Sequence, residues 1–252
     1  MSAIATGGVV FACVFGGALL GLFLRSTLPD HHRSSESKDV VKLGMGLLAT
    51  MAALVLSLLI ASAKASYDAQ SSEITQLAAN VALLDRVLAH YGPETKDARD
   101  SLGRSVARAI DQMWPQSGSK AAAELNPAAT KAEGLYEMIQ ALSPQNEAQR
   151  SLRTEALKIG ADVARTRSLL FAQAGSSIPL PFLMILVFWV AVIFVSFGLF
   201  APPNATVIAT LLVCALSVSG AIFLILELDQ PFHGFIQVSS DPLRAALAHL
   251  GQ

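Results

Sequence analysis

The chain has 252 residues, of which 53% are hydrophobic and only 15% are charged. Soluble domains carry about 25% charged residues, so this composition points to a membrane protein. The net charge of −1 gives no indication of nucleic-acid binding, which a strongly basic chain would suggest.

Three stretches contain no Asp, Glu, Lys or Arg: residues 3–24, 43–63 and 168–226. A helix needs about 20 mainly apolar residues to cross the hydrocarbon core. The first two stretches therefore predict one span each. The third is too long for one span, and Pro202-Pro203-Asn204 divides it into spans at about 180–200 and 205–226.

The first span predicts a retained anchor rather than a signal peptide, because no basic segment precedes it and its apolar run is too long. Cys13 and Cys214 fall inside predicted spans, where small apolar packing is expected rather than a disulfide. The fold class is an all-α integral membrane protein with four transmembrane helices and a soluble helical bundle inserted between the second and third.

The predicted domain organisation has four parts. Residues 1–63 hold the first two spans, and 64–175 form the helical bundle. Residues 176–229 hold the last two spans, and 230–252 form a short amphipathic segment. Apolar residues at 3–4 spacing continue beyond the second span to Tyr91-Gly92-Pro93, which predicts one helix over about 40–90, roughly 75 Å long.

The remaining helices are predicted from their caps and breakers. One begins at Pro93 and ends at Trp114-Pro115. The next ones begin at Asn126-Pro127 and at Ser143-Pro144, and QSGSKAAAEL (116–125) predicts a mobile loop. In the tail, Asp241-Pro242 starts a helix whose leucines suit either the membrane surface or another subunit. A frayed tail is the alternative.

No catalytic motif is present, and His31-His32 is interpreted as a solvated loop rather than a metal site. The sequence therefore predicts no enzyme activity, no metal and no cofactor.

The second span carries a stripe of small and polar residues at 3–4 spacing. It consists of Gly46, Thr50, Ala53, Ser57, Ala61 and Lys64. Small residues on a membrane helix permit close helix packing. The alternative is that the stripe lines the pore of an oligomer, where Lys64 would favour anions.

Two charged pairs stand beside apolar segments. Asp85 and Arg86 fit either a salt-bridged bundle position or a charged ring in an assembled vestibule. Glu227 and Asp229 follow the last span directly. Because ionised carboxylates are costly within lipid, they are expected at headgroup level with basic partners from neighbouring helices. A proton or cation site is the alternative.

Four motifs resemble the signatures of the bacterial bestrophin-like family, a domain of unknown function. They are LGMGLLATMAALVLSLLIASAKASYD, LLDRVLAHYGPET, FGLFAPPNATV and LILELDQPFHG. The layout is also similar to that of bestrophins, which are pentameric anion channels lined by their second membrane helix. Bestrophin necks carry bulky aromatic gate residues on that helix, whereas residues 43–63 contain no Phe, Tyr or Trp. The sequence also lacks an acidic cluster like the calcium clasp of bestrophins.

The resemblance implies a multi-pass protein of the bacterial inner membrane, with lipid as a partner and residues 64–175 in the cytosol. Two functions follow from these observations. One is a homo-oligomeric channel, a pentamer by analogy, that conducts small anions along the second span. The other is a membrane-anchored sensory or scaffolding protein whose helical region binds a partner or ligand.

Overall fold

The computed structural model describes residues 3–27, 35–114, 128–173, 178–232 and 234–251. These parts of the chain contain helices and connecting turns but no strand. The helices are α1 (Ala3–Thr27), α2 (Ser35–Tyr91), α3 (Lys96–Met113), α4 (Ala128–Gln140), α5 (Glu147–Gln173), α6 (Leu180–Phe200), α7 (Ala205–Leu228) and α8 (Asp241–His249). His31-His32, the predicted loop 116–125 and the predicted cap Asn126-Pro127 lie outside the described residues.

Four of these helices, α1, α2, α6 and α7, are long and apolar enough to cross a membrane. The predicted fold class is confirmed: the chain is an all-α membrane protein. Helix α2 is continuous over 57 residues, which corresponds to about 85 Å at 1.5 Å per residue. The chain divides into two compact units, and α2 contributes residues to both.

The first unit comprises Met1–Tyr67, Ser176–Gln230 and Gly234–Ile236. Helix α1 packs closely against α6, because glycines let the two backbones approach each other. A Cβ atom on Gly21 would meet the backbone of Val195, and one on Gly198 would meet the backbone of Ala18. Helix α1 also contacts α7, where the Ser219 hydroxyl donates a 2.7 Å hydrogen bond to the carbonyl of Gly7.

The turn between α6 and α7 follows the predicted Pro-Pro-Asn break. Asn204 caps α7, and its Oδ1 accepts a 2.8 Å hydrogen bond from the amide of Val207. Arg25, at the end of α1, donates to the carbonyl of Ala201 in the same turn. Cys13 and Cys214 are free thiols, and both are exposed on their helices in the isolated chain.

The second unit comprises Asp68–Gly175, Pro231–His233 and Gln237–Gln252. Its first connection is a 3₁₀ turn at Pro93–Thr95, so α3 begins three residues after the proline that was predicted to start it. Thr95 closes the end of α2, because its buried hydroxyl donates to the carbonyl of Leu88 at 2.6 Å. Gly92 has a φ of +140°, a conformation that side-chain-bearing residues rarely adopt.

Helix α5 begins at Glu147, and the prediction that it opens at Ser143-Pro144 is wrong. The cap is Asn146, whose Oδ1 accepts a 2.8 Å hydrogen bond from the amide of Gln149. An Asx cap at this position satisfies a backbone donor that would otherwise have no partner.

The C-terminal tail packs inside the second unit. Helix α8 contacts α3, and its Leu243 is 1% exposed. The indole of Trp114 donates to the carbonyl of Val238 at 2.8 Å and meets the ring of Phe232 edge to face at 5.6 Å. The apolar side of α8 is therefore buried within its own chain rather than on a membrane surface.

Candidate functional site

Helix α2 packs against the core of the first unit along one narrow edge. Ala52, Leu59 and Ala63 are buried there, and they share an apolar core with residues of α1, α6 and α7. In the most apolar 18-residue window of α2 only 11% of the residues are buried, against 28–33% in the other three spans. Most of the α2 span is thus left uncovered by its own chain.

All six residues of the small and polar stripe are exposed. They are Gly46, Thr50, Ala53, Ser57, Ala61 and Lys64. At about 100° per residue, the stripe lies about 140° around the helix from the buried edge. The stripe therefore faces away from the core of its own unit.

The two hydroxyl groups of the stripe are satisfied by their own helix. Ser57 Oγ donates to the carbonyl of Ala53 at 2.8 Å, and Thr50 Oγ1 lies 2.8 Å from the carbonyl of Leu47. Each hydroxyl oxygen keeps lone pairs that can accept a hydrogen bond from water. The stripe is therefore a narrow, weakly polar surface at one side of an otherwise hydrocarbon helix.

Close helix packing, the first interpretation of this stripe, is not seen among the described residues. A Cβ atom on Gly46 would meet no other atom of the described residues within 4 Å. Glycines that do bring two backbones together include Gly21 on α1 and Gly198 on α6.

Beside the stripe, α2 exposes a second face of large apolar side chains. Its members are Leu43, Leu47, Met51, Leu54 and Leu58, with exposed fractions of 39–77%. Such a surface requires lipid or another protein as its solvent. Lys64 stands at the end of the stripe, with its ammonium 6.0 Å from the ring centroid of Tyr67.

Asp85 lies in the core of the second unit and is 6% exposed. Its two carboxylate oxygens accept hydrogen bonds from Arg99, Oδ1 from Nε at 2.7 Å and Oδ2 from Nη2 at 2.9 Å. The hydrogen bond with Asp85 raises the pKa of Arg99 above its ordinary value. Asp85 therefore occupies a salt-bridged bundle position, whereas Arg86 is exposed. Sequence reasoning missed Arg99, which comes after the chain reversal at Gly92.

Glu227 and Asp229 are both buried, at 4% and 3% exposed. The partners that the structure shows for Glu227 are backbone amides, not the expected basic side chains. Its Oε2 accepts hydrogen bonds from the amides of Phe235 at 2.6 Å and Ile236 at 3.4 Å. Gly234 lies against this carboxylate with a φ of +94°. Asp229 is the C-terminal cap residue of α7.

No group of three or more His, Cys, Asp or Glu residues that could hold a metal occurs within the described ranges. His90 is exposed, and its Nδ1 lies 2.9 Å from the carbonyl of Arg86 in the last turn of α2. His90 and the carboxylates described above form no pair of nucleophile and general base.

The decisive comparison is with protein families: a model of the bestrophin-like domain matches residues 12–243. The chain belongs to the bestrophin-like family. The match covers α1 from residue 12 onward and all of α2, α6 and α7, including the exposed stripe of α2 and the Asp85–Arg99 pair. Searches of the curated proteins and of the solved structures gave no match to this bestrophin-like chain.

Proposed function

We propose that this bestrophin-like chain assembles into a homo-oligomer that conducts small anions across the membrane along the exposed stripe of α2. The observation that carries the proposal is the sparse burial of the α2 span, 11% against 28–33% in the other spans. A single chain leaves this helix mostly without protein neighbours. Several copies around an axis would give it neighbours and would enclose the stripe.

The two exposed faces of α2 suit different surroundings. The leucine face matches lipid or the apolar surface of a neighbouring subunit. The stripe from Gly46 to Lys64 presents hydroxyl groups and little bulk, which suits a water-filled path. In such an oligomer the Lys64 side chains would form a ring of positive charge at one end of the path, where they would concentrate anions. Bestrophins, the channels that this family resembles, provide the analogy for five subunits.

The second unit is proposed to lie in the cytosol of a bacterium, with the four spans in its inner membrane. This orientation follows the bestrophin analogy. Lys and Arg residues near the span ends do not favour either side, because four lie in the first connection and four on the opposite side.

A second candidate function is a membrane-anchored sensor whose second unit binds a ligand. One observation favours it: an apolar cavity with a guanidinium in its lining lies within that unit. The two functions are compatible in one molecule, since a ligand could control a conducting path. Anion flux without any added ligand would separate the channel from a sensor that does not conduct.

The test is chloride flux from liposomes that contain the purified chain. Ser57→Phe places an aromatic ring on a span that contains none, and we expect it to reduce flux at least about tenfold by narrowing the path. Ser217→Phe is the matched control, because Ser217 is also exposed and its hydroxyl donates to its own helix at 2.9 Å. Absence of flux in the wild-type protein, or equal loss in both variants, would contradict the proposal.

A further inference from the structure

An apolar cavity lies between the helices of the second unit. Its volume is about 60 Å³, within about 560 Å³ of space that includes its open mouth. Side chains of α2, α3, α4, α5 and α8 contribute to the walls. Those used below are Ala109, Ser105 and Arg167. A single water molecule needs only about 10–15 Å³ of such cavity volume. The cavity therefore has room for several methylene groups.

The lining contains a hydroxyl group whose hydrogen-bonding capacity is unused. Ser105 Oγ is buried and has no hydrogen-bond partner among the described residues. A buried hydroxyl without a partner costs free energy, because it gave up its hydrogen bonds to water. A bound molecule that carries an acceptor oxygen would satisfy this group.

The lining also contains a half-buried guanidinium that lies near a second positive charge. Arg167 stacks on the ring of Phe171, with 5.6 Å between the guanidinium carbon and the ring centroid. Burial lowers the pKa of Arg167, and the positive charge of Arg108 lowers it further. Two like charges close to a half-buried surface attract an anion. A carboxylate suits a guanidinium because the planar fork can donate to both oxygens.

We propose that this cavity binds a small apolar carboxylate, with its alkyl chain among the apolar walls and its carboxylate at Arg167. The walls cannot solvate a polar chain, whereas the guanidinium and the Ser105 hydroxyl are both hydrogen-bond donors for a carboxylate. The site is independent of the proposed conduction path, and each can fail without the other.

Binding of radiolabelled octanoate to the full chain in lipid nanodiscs tests this site, with empty nanodiscs as the blank for partitioning into lipid. We expect saturable binding of one octanoate per chain. Arg167→Gln should weaken binding about tenfold or more, while Arg165→Gln, an exposed position on the same helix, should stay within about twofold. Ala109→Leu, which fills the cavity, should abolish binding.

Neutral octanol keeps the chain and removes the charge, so it should compete at least about tenfold more weakly than unlabelled octanoate. This comparison uses the wild-type protein and holds even if a variant does not fold. Shortening the acid should weaken binding by about fourfold for each buried methylene group removed. Non-saturable uptake, equal competition by octanol, or unchanged affinity in Arg167→Gln or Ala109→Leu would overturn the proposal.

Discussion

Asp85 and Arg99 form a two-pronged ion pair, with donor–acceptor distances of 2.7 and 2.9 Å, between the end of α2 and the start of α3. The backbone amide of Gly251 lies 3.4 Å from Asp85 Oδ2. One buried carboxylate therefore connects α2, α3 and the C-terminus of the chain within the second unit. This role accounts for an acidic residue in an otherwise apolar helix stretch.

Replacing this carboxylate should destabilise the second unit. For Asp85→Ala we expect a loss of about 1–3 kcal/mol, because the Arg99 guanidinium loses its acceptor while remaining only one-fifth exposed. We expect a smaller loss of stability than for a fully buried ion pair, because solvent still reaches Arg99. Thermal unfolding of the full chain by circular dichroism measures it. Asp162→Ala, at an exposed position of α5, is the control and should change the midpoint little. An equal shift in both would contradict the assigned role.

The contact between α1 and α6 should be sensitive to a single methyl group. In Gly198→Ala the new Cβ would overlap the backbone of Ala18, which should cost about 1–3 kcal/mol through overpacking. Gly16→Ala is the matched control, since nothing of the described chain lies within 4 Å of a Cβ there. Both variants can be compared by thermal unfolding in detergent. A Gly198→Ala protein as stable as Gly16→Ala would show that the two helices do not pack as described.

Glu227 should control the order of the turn that follows α7. In Glu227→Ala the amides of Phe235 and Ile236 lose their acceptor, so we expect their hydrogen exchange to accelerate by about tenfold or more. Glu227→Gln retains an acceptor oxygen, so its exchange rate should lie between those of the wild type and Glu227→Ala. Hydrogen exchange of residues 234–236, measured by mass spectrometry, checks this ranking of the three proteins. Unchanged exchange in Glu227→Ala would mean that the carboxylate does not hold the turn.

Much of the fold could be predicted from the sequence, because the signals were local. Runs without charged residues marked the spans, and Pro202-Pro203-Asn204 marked the turn between α6 and α7. The 3–4 spacing of apolar residues predicted that α2 continues to Tyr91. These features depend on hydropathy and on backbone preferences within a few residues of each position.

The partners of the charged residues could not be predicted, because they depend on packing. Asp85 meets Arg99 only because the chain reverses at Gly92 and brings α3 beside α2. Glu227 binds amides eight and nine residues further on, and the signal that could have indicated this was the Gly234 that follows it. A glycine in a turn after a buried acid allows the backbone to approach the carboxylate. Basic side chains were expected instead, because acids near a membrane surface more often suggest ion pairs.

The candidate pore residues were predicted as a stripe, but the sequence left two explanations of it open. The exposure of all six residues shows that the stripe does not pack closely against the described part of the chain. The sequence could not decide this, because small side chains serve both close contact and a narrow path. Whether the stripe faces lipid or water depends on what surrounds α2 in the assembled protein.

Water access at position 57 tests the central claim most directly. In a background with Cys13 and Cys214 replaced by alanine, Ser57→Cys and Ser217→Cys proteins are reconstituted and treated with a charged, membrane-impermeant thiol reagent. If the α2 stripe lines a conducting path, the thiol introduced by Ser57→Cys reacts and chloride flux falls. The thiol introduced by Ser217→Cys, at an exposed position of α7 outside the proposed path, stays unmodified. A Ser57→Cys protein that conducts chloride without reacting, or equal reaction of the two variants, would contradict the account.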